Sequence, residues 1–383
     1  MTNINRVCIY SCVHKALDNR IYYREARSLQ KAGYEVDLFA VHPHEELRGD
    51  IHIHPVPRWP RWKRPLLWLS LAYRVLQTKA DIYHFHDPEL LVISTWIRKI
   101  AKRPTIYDAH EAQADFIEIK EDIPAVVRII LLWLYRRLEP RLARQQSGLI
   151  FADDQIALSF KEIPVPKTTL FNYPDSDFID KAIKLTQNPI DRSPTILYLG
   201  GLKRSRGSRL MLEAFRLVLQ EFTQAQLLLV GPFSPTSLEK EMHDDIRRLG
   251  LQNAVTLTGE VPFDQVSVYL TSAAIGWVPW LPVPKHQKNI PTKLFEYMAY
   301  AIPVVSSNLE SVQPFIDHGG NGYLVTPDDP SAHARAIMEI LSNPQKSLEM
   351  GRQGQNLVQN KYRWDDMEVR LLDFYNDVIK FVA

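Results

Sequence analysis

Short apolar runs recur along almost the whole chain, separated by longer stretches in which apolar residues return every three or four positions. The runs at 7–11, 36–41, 51–56, 81–86, 104–108 and 148–152 read as strands, and the same pattern restarts at 195–199 and continues through 226–230, 255–258, 275–278, 304–306 and 322–325. Residues 20–31 form an amphipathic helical pattern closed by Gly33. A longer helical pattern at 124–146 is expected to break near Glu139-Pro140. Strands alternating with helices predict the α/β class with parallel sheets. Between 175 and 193 the pattern fades into polar residues ending in Asn188-Pro189 and Ser193-Pro194. A boundary is expected there, giving domains at 1–185 and 186–362 and a last helix within 363–383.

The stretch 289–308 reads as loop, helix, stop, strand. Pro291 suits a first helical turn, where a missing N–H costs nothing, and Pro303 cannot continue a helix. Roughly ten residues between them are therefore expected to be helical. Leu294, Tyr297, Met298 and Ala301 share one apolar face, while Lys293, Glu296 and Tyr300 line up on another. Lys293 falls beside the helix N-terminus, where unpaired N–H groups favour an anion, so this end is a candidate phosphate site. The competing reading is an ordinary amphipathic helix with a solvated Lys293–Glu296 pair.

Composition narrows the function classes. The chain has 383 residues, 45% of them hydrophobic and 23% charged, with a net charge of +2. That is ordinary for a globular protein with a sizeable core and too balanced to call for nucleic acid. Cys8 and Cys12 lack a second Cys/His pair at zinc spacing and read as reduced core thiols, and no metal cluster is evident. No stretch has the ~18 apolar residues of a membrane span, and the N-terminus lacks a signal-peptide core, so a cytoplasmic location is expected.

Two turns carry the remaining candidate chemistry of the first half. Between the first strand and its helix stands Ser11-Cys-Val-His14-Lys-Ala-Leu-Asp18-Asn-Arg20, without the Gly-x-Gly-x-x-Gly of a dinucleotide site. His14, Asp18 and Arg20 fall at the C-terminal mouth of a strand, where doubly wound sheets bind ligands; the alternative is that Asp18 caps the helix and Arg20 is solvated. The strands at 81–86 and 104–108 deliver His86, His110 and Glu111 to the same rim. In the second half, Gly200-Gly201-Leu-Lys203-Arg204-Ser-Arg206-Gly207 combines two flexible glycines with three basic side chains, which suits an anion as well as it suits a solvated loop.

The run Pro291-Thr-Lys-Leu-Phe-Glu-Tyr-Met-Ala299 followed by Pro303-Val-Val305 resembles the donor-binding helix of retaining glycosyltransferases of the GT-B fold, family 4 type. The resemblance implies two facing Rossmann-like domains with parallel sheets and a cleft between them, the last helix crossing back to the first domain. It also implies that Glu296, with Thr292 nearby, holds the nucleotide ribose, and that Gly200, Gly201 and Arg206 line a diphosphate loop, with Lys203 or Arg204 standing in for the arginine that the family commonly has where this chain has Gly201. Glu260, in the turn Gly259–Pro262, would flank the base, and His110 would lie beside the donor sugar. The implied reaction moves a hexose-type sugar from a UDP- or GDP-linked donor to a glycan or lipid-linked acceptor, with His14, Asp18, Arg20, His86 and Glu111 on the acceptor side. The nucleotide-sugar is substrate, and neither cofactor nor metal is expected, because Arg206, Lys293 and the Gly200-Gly201 turn would stabilise the leaving diphosphate. The sequence departs from the family at Lys288, where a glutamate is frequent, and at Ala301, where glycine is usual. A sugar-nucleotide epimerase or hydrolase, or a non-catalytic sugar-nucleotide binder, remains an alternative.

One further segment is basic, aromatic and apolar together: Trp59, Trp62, Lys63, Arg64 and Trp68 cluster with Arg58, Arg61 and Arg74. Such a mixture suits the interface of an anionic membrane and peripheral attachment to the inner face of the plasma membrane. It equally suits a solvated loop leading into a core helix that buries Leu66, Leu67, Leu69 and Leu71.

Overall fold

The computed structural model describes residues 5–110, 117–118, 123–186, 192–262 and 265–382. The chain divides into two compact units, Met1–Asn172 with Trp364–Ala383, and Tyr173–Arg363. The first holds β1 (Arg6–Lys15), β2 (Glu35–Val41), β3 (Glu46–Arg48), β4 (Ile51–Val56), β5 (Ile82–Phe85), β6 (Thr105–Ala109), β7 (Gly148–Phe151) and β8 (Lys167–Thr169). Their order is β3-β4-β2-β1-β5-β6-β7-β8. All neighbours are parallel except β3, which hairpins back onto β4 as an antiparallel edge that the pattern of apolar runs did not announce. The second unit orders β9 (Thr195–Leu199), β10 (Gln226–Val230), β11 (Val255–Gly259), β12 (Ile275–Val278), β13 (Val304–Ser307) and β14 (Gly322–Val325) as β11-β10-β9-β12-β13-β14. Counted from β9 this is the doubly wound 3-2-1-4-5-6 arrangement, whose chain reverses direction of travel between β9 and β12; in the first unit the same switch falls between β1 and β5. Those two switch points open at the C-terminal strand ends, where the candidate residues lie.

Three boundaries differ from expectation. The division between units falls at Asn172–Tyr173 rather than near 185, because helix Ser176–Thr186 belongs to the second unit: Phe178 meets the Tyr300 ring edge-on at 5.5 Å and Thr186 Oγ1 accepts from Gln355 Nε2 at 2.9 Å. Helix Ala125–Ala143 runs unbroken through Pro140. The missing N–H forfeits one helical bond, and the turn is held by Tyr107 Oη donating to buried Glu139 Oε1 at 2.8 Å. The first helical pattern is wound as a π-turn, Ile21–Ala26, before continuing as α-helix Arg27–Lys31. Helix Trp364–Val382 lies on the first unit, with Trp364 Nε1 donating to Ser28 Oγ at 2.9 Å; a Cβ at Gly148 would stand 2.5 Å from Val378, so only glycine lets the helix lie this close to β7. Cys8 and Cys12 are buried free thiols.

The central helix spans Lys293–Ala299, shorter than Pro291 and Pro303 allow, because Ala301 adopts the left-handed conformation at φ 50° and ends it. Arg192 caps the exposed carbonyls, donating to Tyr300 O at 2.6 Å and Ala301 O at 2.8 Å. A left-handed alanine costs on the order of 1 kcal/mol that glycine does not. Ala301→Gly is therefore expected to raise stability by about 0.5–1 kcal/mol in urea titrations; a loss of stability would show the turn to be unstrained.

Candidate active site

At the mouth of the second sheet β9 runs into Gly200-Gly201 and β12 into Pro279-Trp280. Gly231, at φ 144°, brings the end of β10 so close that a Cβ there would stand 2.4 Å from Gly200 O, and a Cβ on Gly200 itself, at φ 115°, would press on Lys293 Nζ at 3.1 Å. Gly207 packs equally tightly on Pro279, which fixes Arg206 at the same rim. Lys293, the first residue of its helix, is only 6% exposed, and its Nζ has no hydrogen-bond partner. It lies 3.9 Å from the centroid of the Tyr198 ring and 5.4 Å from that of Trp280. Arg206 lies 5.2 Å over Trp280 and donates to Gly201 O at 3.0 Å, as Tyr198 Oη does.

Two cations are thus held on aromatic walls, Arg206 with the Gly201 carbonyl as a polar contact and Lys293 without one. Burial, and then the charge of Arg206, pushes the Lys293 ammonium well below its usual range, against the pull of Glu296. A solvated Lys293–Glu296 pair is excluded, since Lys293 is not solvated. Cation–π contacts are worth about 2 kcal/mol when desolvated, too little to offset burying an ammonium, so the arrangement favours an anion carrying more than one negative charge. His286 completes the wall, tilted against Trp280 at 4.6 Å and held neutral, at a pKa of about 4, by burial and by the charges of Arg206, Lys285 and Lys293.

The first unit builds a different site at the ends of β1, β5 and β6. Buried Arg20 donates Nε and a terminal nitrogen to the two oxygens of Asp108 at 2.9 and 3.1 Å, and its other nitrogen to Leu170 O at 2.6 Å and Asn172 Oδ1 at 3.1 Å. Glu25, on the inward side of the π-turn, places Oε1 2.9 Å from Arg20 Nε. His86 Nδ1 and His110 Nε2 are hydrogen-bonded at 2.8 Å, each about equally far from Asp108, at 3.6 and 3.5 Å. His110 keeps 14% of its side chain exposed while His86 keeps none, so the carboxylate and the buried imidazole orient the member of the pair that reaches the rim. His14 meets that ring at 4.9 Å and contacts Asp87 and Asp18. A cavity of about 720 Å³ opens next to this rim, lined by Lys15, Leu17, His42, Pro57 and Arg58 among others.

The second unit matches the model of the "Glycosyl transferases group 1" family over residues 193–343, and the first matches that of the "Glycosyl transferase 4-like domain" over residues 19–171. The chain belongs to the family 4 type of GT-B glycosyltransferases. Among curated relatives, the phosphatidyl-myo-inositol mannosyltransferase of Mycobacterium leprae is 23% identical over 299 residues, 78% of this chain and 74% of that protein. Among solved structures, sucrose-phosphate synthase from Thermosynechococcus elongatus is 19% identical with a TM-score of 0.76, covering 98% of this chain and 99% of that one. HepE from Anabaena, in complex with UDP and glucose, is 19% identical with a TM-score of 0.72 and covers 97% and 99%.

On this glycosyltransferase the residues read from sequence separate into two groups. Gly200, Gly201, Lys203, Arg206, Thr292, Lys293 and Glu296 belong to the second unit, with Lys293 buried, Arg206 and Glu296 half-buried and Thr292 exposed. Arg204 is exposed and drawn to Glu241 at 2.5 Å, while Lys203 is half-buried. Glu260 is exposed beside left-handed Gly259. In the first unit His14, Asp18, Arg20, His86 and His110 do converge, but Arg20 and His86 are buried structural partners of Asp108 rather than ligands at the rim: the Arg20 nitrogens are taken up by Asp108, Leu170 and Asn172, and the His86 ring is closed off from solvent with Nδ1 on His110. Asp18 Oδ1 accepts from the Arg20 and Ile21 N–H groups, as capping required. Glu111 lies outside the described residues. Tyr198, Trp280, His286, Glu25 and Asp108 were not singled out by sequence. Glu25 could have been, since it sits among Ile21, Tyr22 and Ala26 on the apolar side of its helix.

Proposed function

We propose that the enzyme transfers a hexose-type sugar, with retention, from a UDP- or GDP-linked donor to a glycan or lipid-linked acceptor in cell-surface polysaccharide synthesis. The observation that carries the reading is the buried, hydrogen-bond-free Lys293 beside Arg206 at the mouth of β9, a site whose charge calls for a diphosphate. In this reading those two cations stabilise the leaving group, so no metal is required and turnover survives EDTA. The name of the Mycobacterium leprae relative specifies a lipid acceptor and HepE was solved with UDP, which supports both halves of the assignment. The acceptor is assigned to the rim at His14 and the adjoining cavity. Same-face attack within an ion pair accounts for retention.

The deciding experiment supplies radiolabelled UDP- and GDP-sugars with a glycan or lipid acceptor and resolves the products. Transfer is the expected outcome. Release of free sugar or an epimer would replace it by a hydrolase or epimerase, and tight binding without turnover by a sugar-nucleotide binder, the second reading that Lys288 favours. Within the same assay His110→Ala is expected to abolish transfer with nucleotide affinity unchanged. Glu296→Ala is expected to weaken the nucleotide by about 1.5–3 kcal/mol, the worth of a hydrogen bond to a charged group; wild-type affinity in calorimetry would remove Glu296 from the ribose.

A further inference from the structure

Three helices of the first unit lie side by side, Leu91–Ala101 packing on both Pro65–Gln77 and Ala125–Ala143. Each turns a second apolar stripe outward. In the first, Leu67, Leu71 and Val75 fill the core while Leu66 and Leu69 stand 72% and 75% exposed, which removes the reading in which all four leucines are buried. Trp96 and Ile100 do the same on the second helix at i, i+4, and Ile129 and Trp133 on the third, 59–65% exposed. Only Glu139 and Ala143 of the third helix are buried, so core packing does not explain its apolar composition. Isolated exposed leucines are ordinary; a run of them across three adjacent helices is not.

The charge on this face is one-sided. Residues 61–77, 91–103 and 125–144 contain thirteen Lys and Arg and one acidic residue, against a net charge of +2 for the whole chain; Arg64, Arg74, Arg103 and Arg136 meet acids from outside these segments, and the excess of cations remains. The single acid, Glu139, is buried against Tyr107 and its carboxyl is pushed up to about 7. Lys63 rests 4.8 Å over the Trp62 ring and Arg137 5.8 Å over Trp133, cation and indole presented together, as side chains at a headgroup boundary are. Of the patch read from sequence, Trp62 and Lys63 belong here. Arg64 is tied to Glu89 at 3.1 Å, and Trp59 and Trp68 are half-buried.

We infer that this three-helix face beds in the plane of an anionic lipid bilayer. A second copy of the chain docked two-fold through it would set one net-positive face against another. A nucleic acid would leave the leucines, isoleucines and tryptophans without partners. Among the described residues no helix is long and apolar enough to cross a membrane, so the contact is superficial. It brings the enzyme to the surface on which a lipid-linked acceptor would sit, yet stands independently of the transfer reading, because vesicle binding is measured without substrate.

The test is flotation of the full-length chain with phosphatidylcholine vesicles and with vesicles containing phosphatidylglycerol. The protein is expected to float with the anionic vesicles at low salt and to be released at high salt. Each positive charge removed lowers partitioning about fivefold, so Arg136→Glu with Arg137→Glu should lower it by more than about twentyfold. Trp96→Ser with Trp133→Ser should abolish flotation even at low salt. Both pairs are exposed, and unchanged nucleotide affinity reports an intact fold. Reversing Arg247 and Arg248 to Glu on the second unit should change nothing. Equal flotation with neutral and anionic vesicles, none with either, wild-type partitioning of the variants, or a dimer that Trp96→Ser with Trp133→Ser dissociates would each overturn the inference.

Discussion

Lys293→Met is expected to lower turnover about 10²- to 10³-fold while making the nucleotide-free protein more stable. The two effects share one cause. Lys293 is buried on Tyr198 and Trp280 with no hydrogen bond and with Arg206 as its cationic neighbour, so it costs free energy in the empty enzyme and returns it only when an anion arrives. In the reaction the negative charge on the leaving diphosphate grows towards the transition state, and losing a preorganised donor there costs about 3 kcal/mol. Methionine keeps the unbranched stem between the rings without the charge. The linkage has a definite sign. The folded pKa of Lys293 lies well below the unfolded value near ~10.4, so between the two the unfolded chain binds more protons and stability rises with pH until the unfolded value is passed. Lys293→Met should flatten that rise. Binding of UDP or GDP, which restores the charged ammonium, should take up a proton at alkaline pH, seen as a buffer-dependent heat in calorimetry. Wild-type turnover in the variant, or a binding heat independent of buffer, would sink the assignment.

The elements of the second unit were legible because its strands are uninterrupted apolar runs between polar turns; β9, β10, β12 and β14 fall where the pattern puts them. Lys293 and Arg206 were legible as candidates because a cation beside a helix start or a pair of glycines suits an anion, although it suits solvent equally. Their setting was not. Tyr198 and Trp280 sit in or just after strands, where an aromatic residue reads as core, and nothing local says that a cation lies on the ring. The first unit hid more. Arg20 binds Asp108 across 88 positions of sequence, and long-range pairing of two charged residues leaves no periodic trace. Leu66, Leu67, Leu69 and Leu71 leave the helical pattern without a polar side to mark solvent, although Leu66 faces solvent and Leu67 the core. The resemblance to the family supplied what spacing could not for His110, and supplied nothing for Glu25.

Asp108→Asn and Glu25→Gln are expected to act in opposite directions, although both replace a buried carboxylate by its amide beside the same guanidinium. Arg20 grips both oxygens of Asp108, while burial would raise that carboxyl, so the Arg20 charge, with His110 and His86, holds it well below the usual range. Removing the charge leaves Arg20 buried and uncompensated, at a cost of about 3–5 kcal/mol. Glu25 is the second carboxyl on one cation. Burial, and then the charge of Asp108, pushes it well above the usual range, so it carries the proton, and glutamine resembles its native form. Because the folded pKa of Glu25 is raised, its contribution is full below about 4.3 and is lost as pH rises through the folded value; Glu25→Gln should therefore stabilise most in alkaline buffer. Asp108 and the two buried histidines run the other way. Asp108 contributes above about 3.9. His84 and His86, held neutral by burial, with His86 at about 4, contribute fully above about 6.5 and lose at most about 1.4 kcal/mol per pH unit each as the pH falls towards 4. Urea titrations of the three proteins at pH 5, 7 and 9 separate these terms. If Asp108→Asn stayed within about 1 kcal/mol of wild type at neutral pH, or Glu25→Gln cost as much as Asp108→Asn, the proton would be on the wrong carboxyl and Glu25, not Asp108, would be the group that orients His86 and, through it, His110.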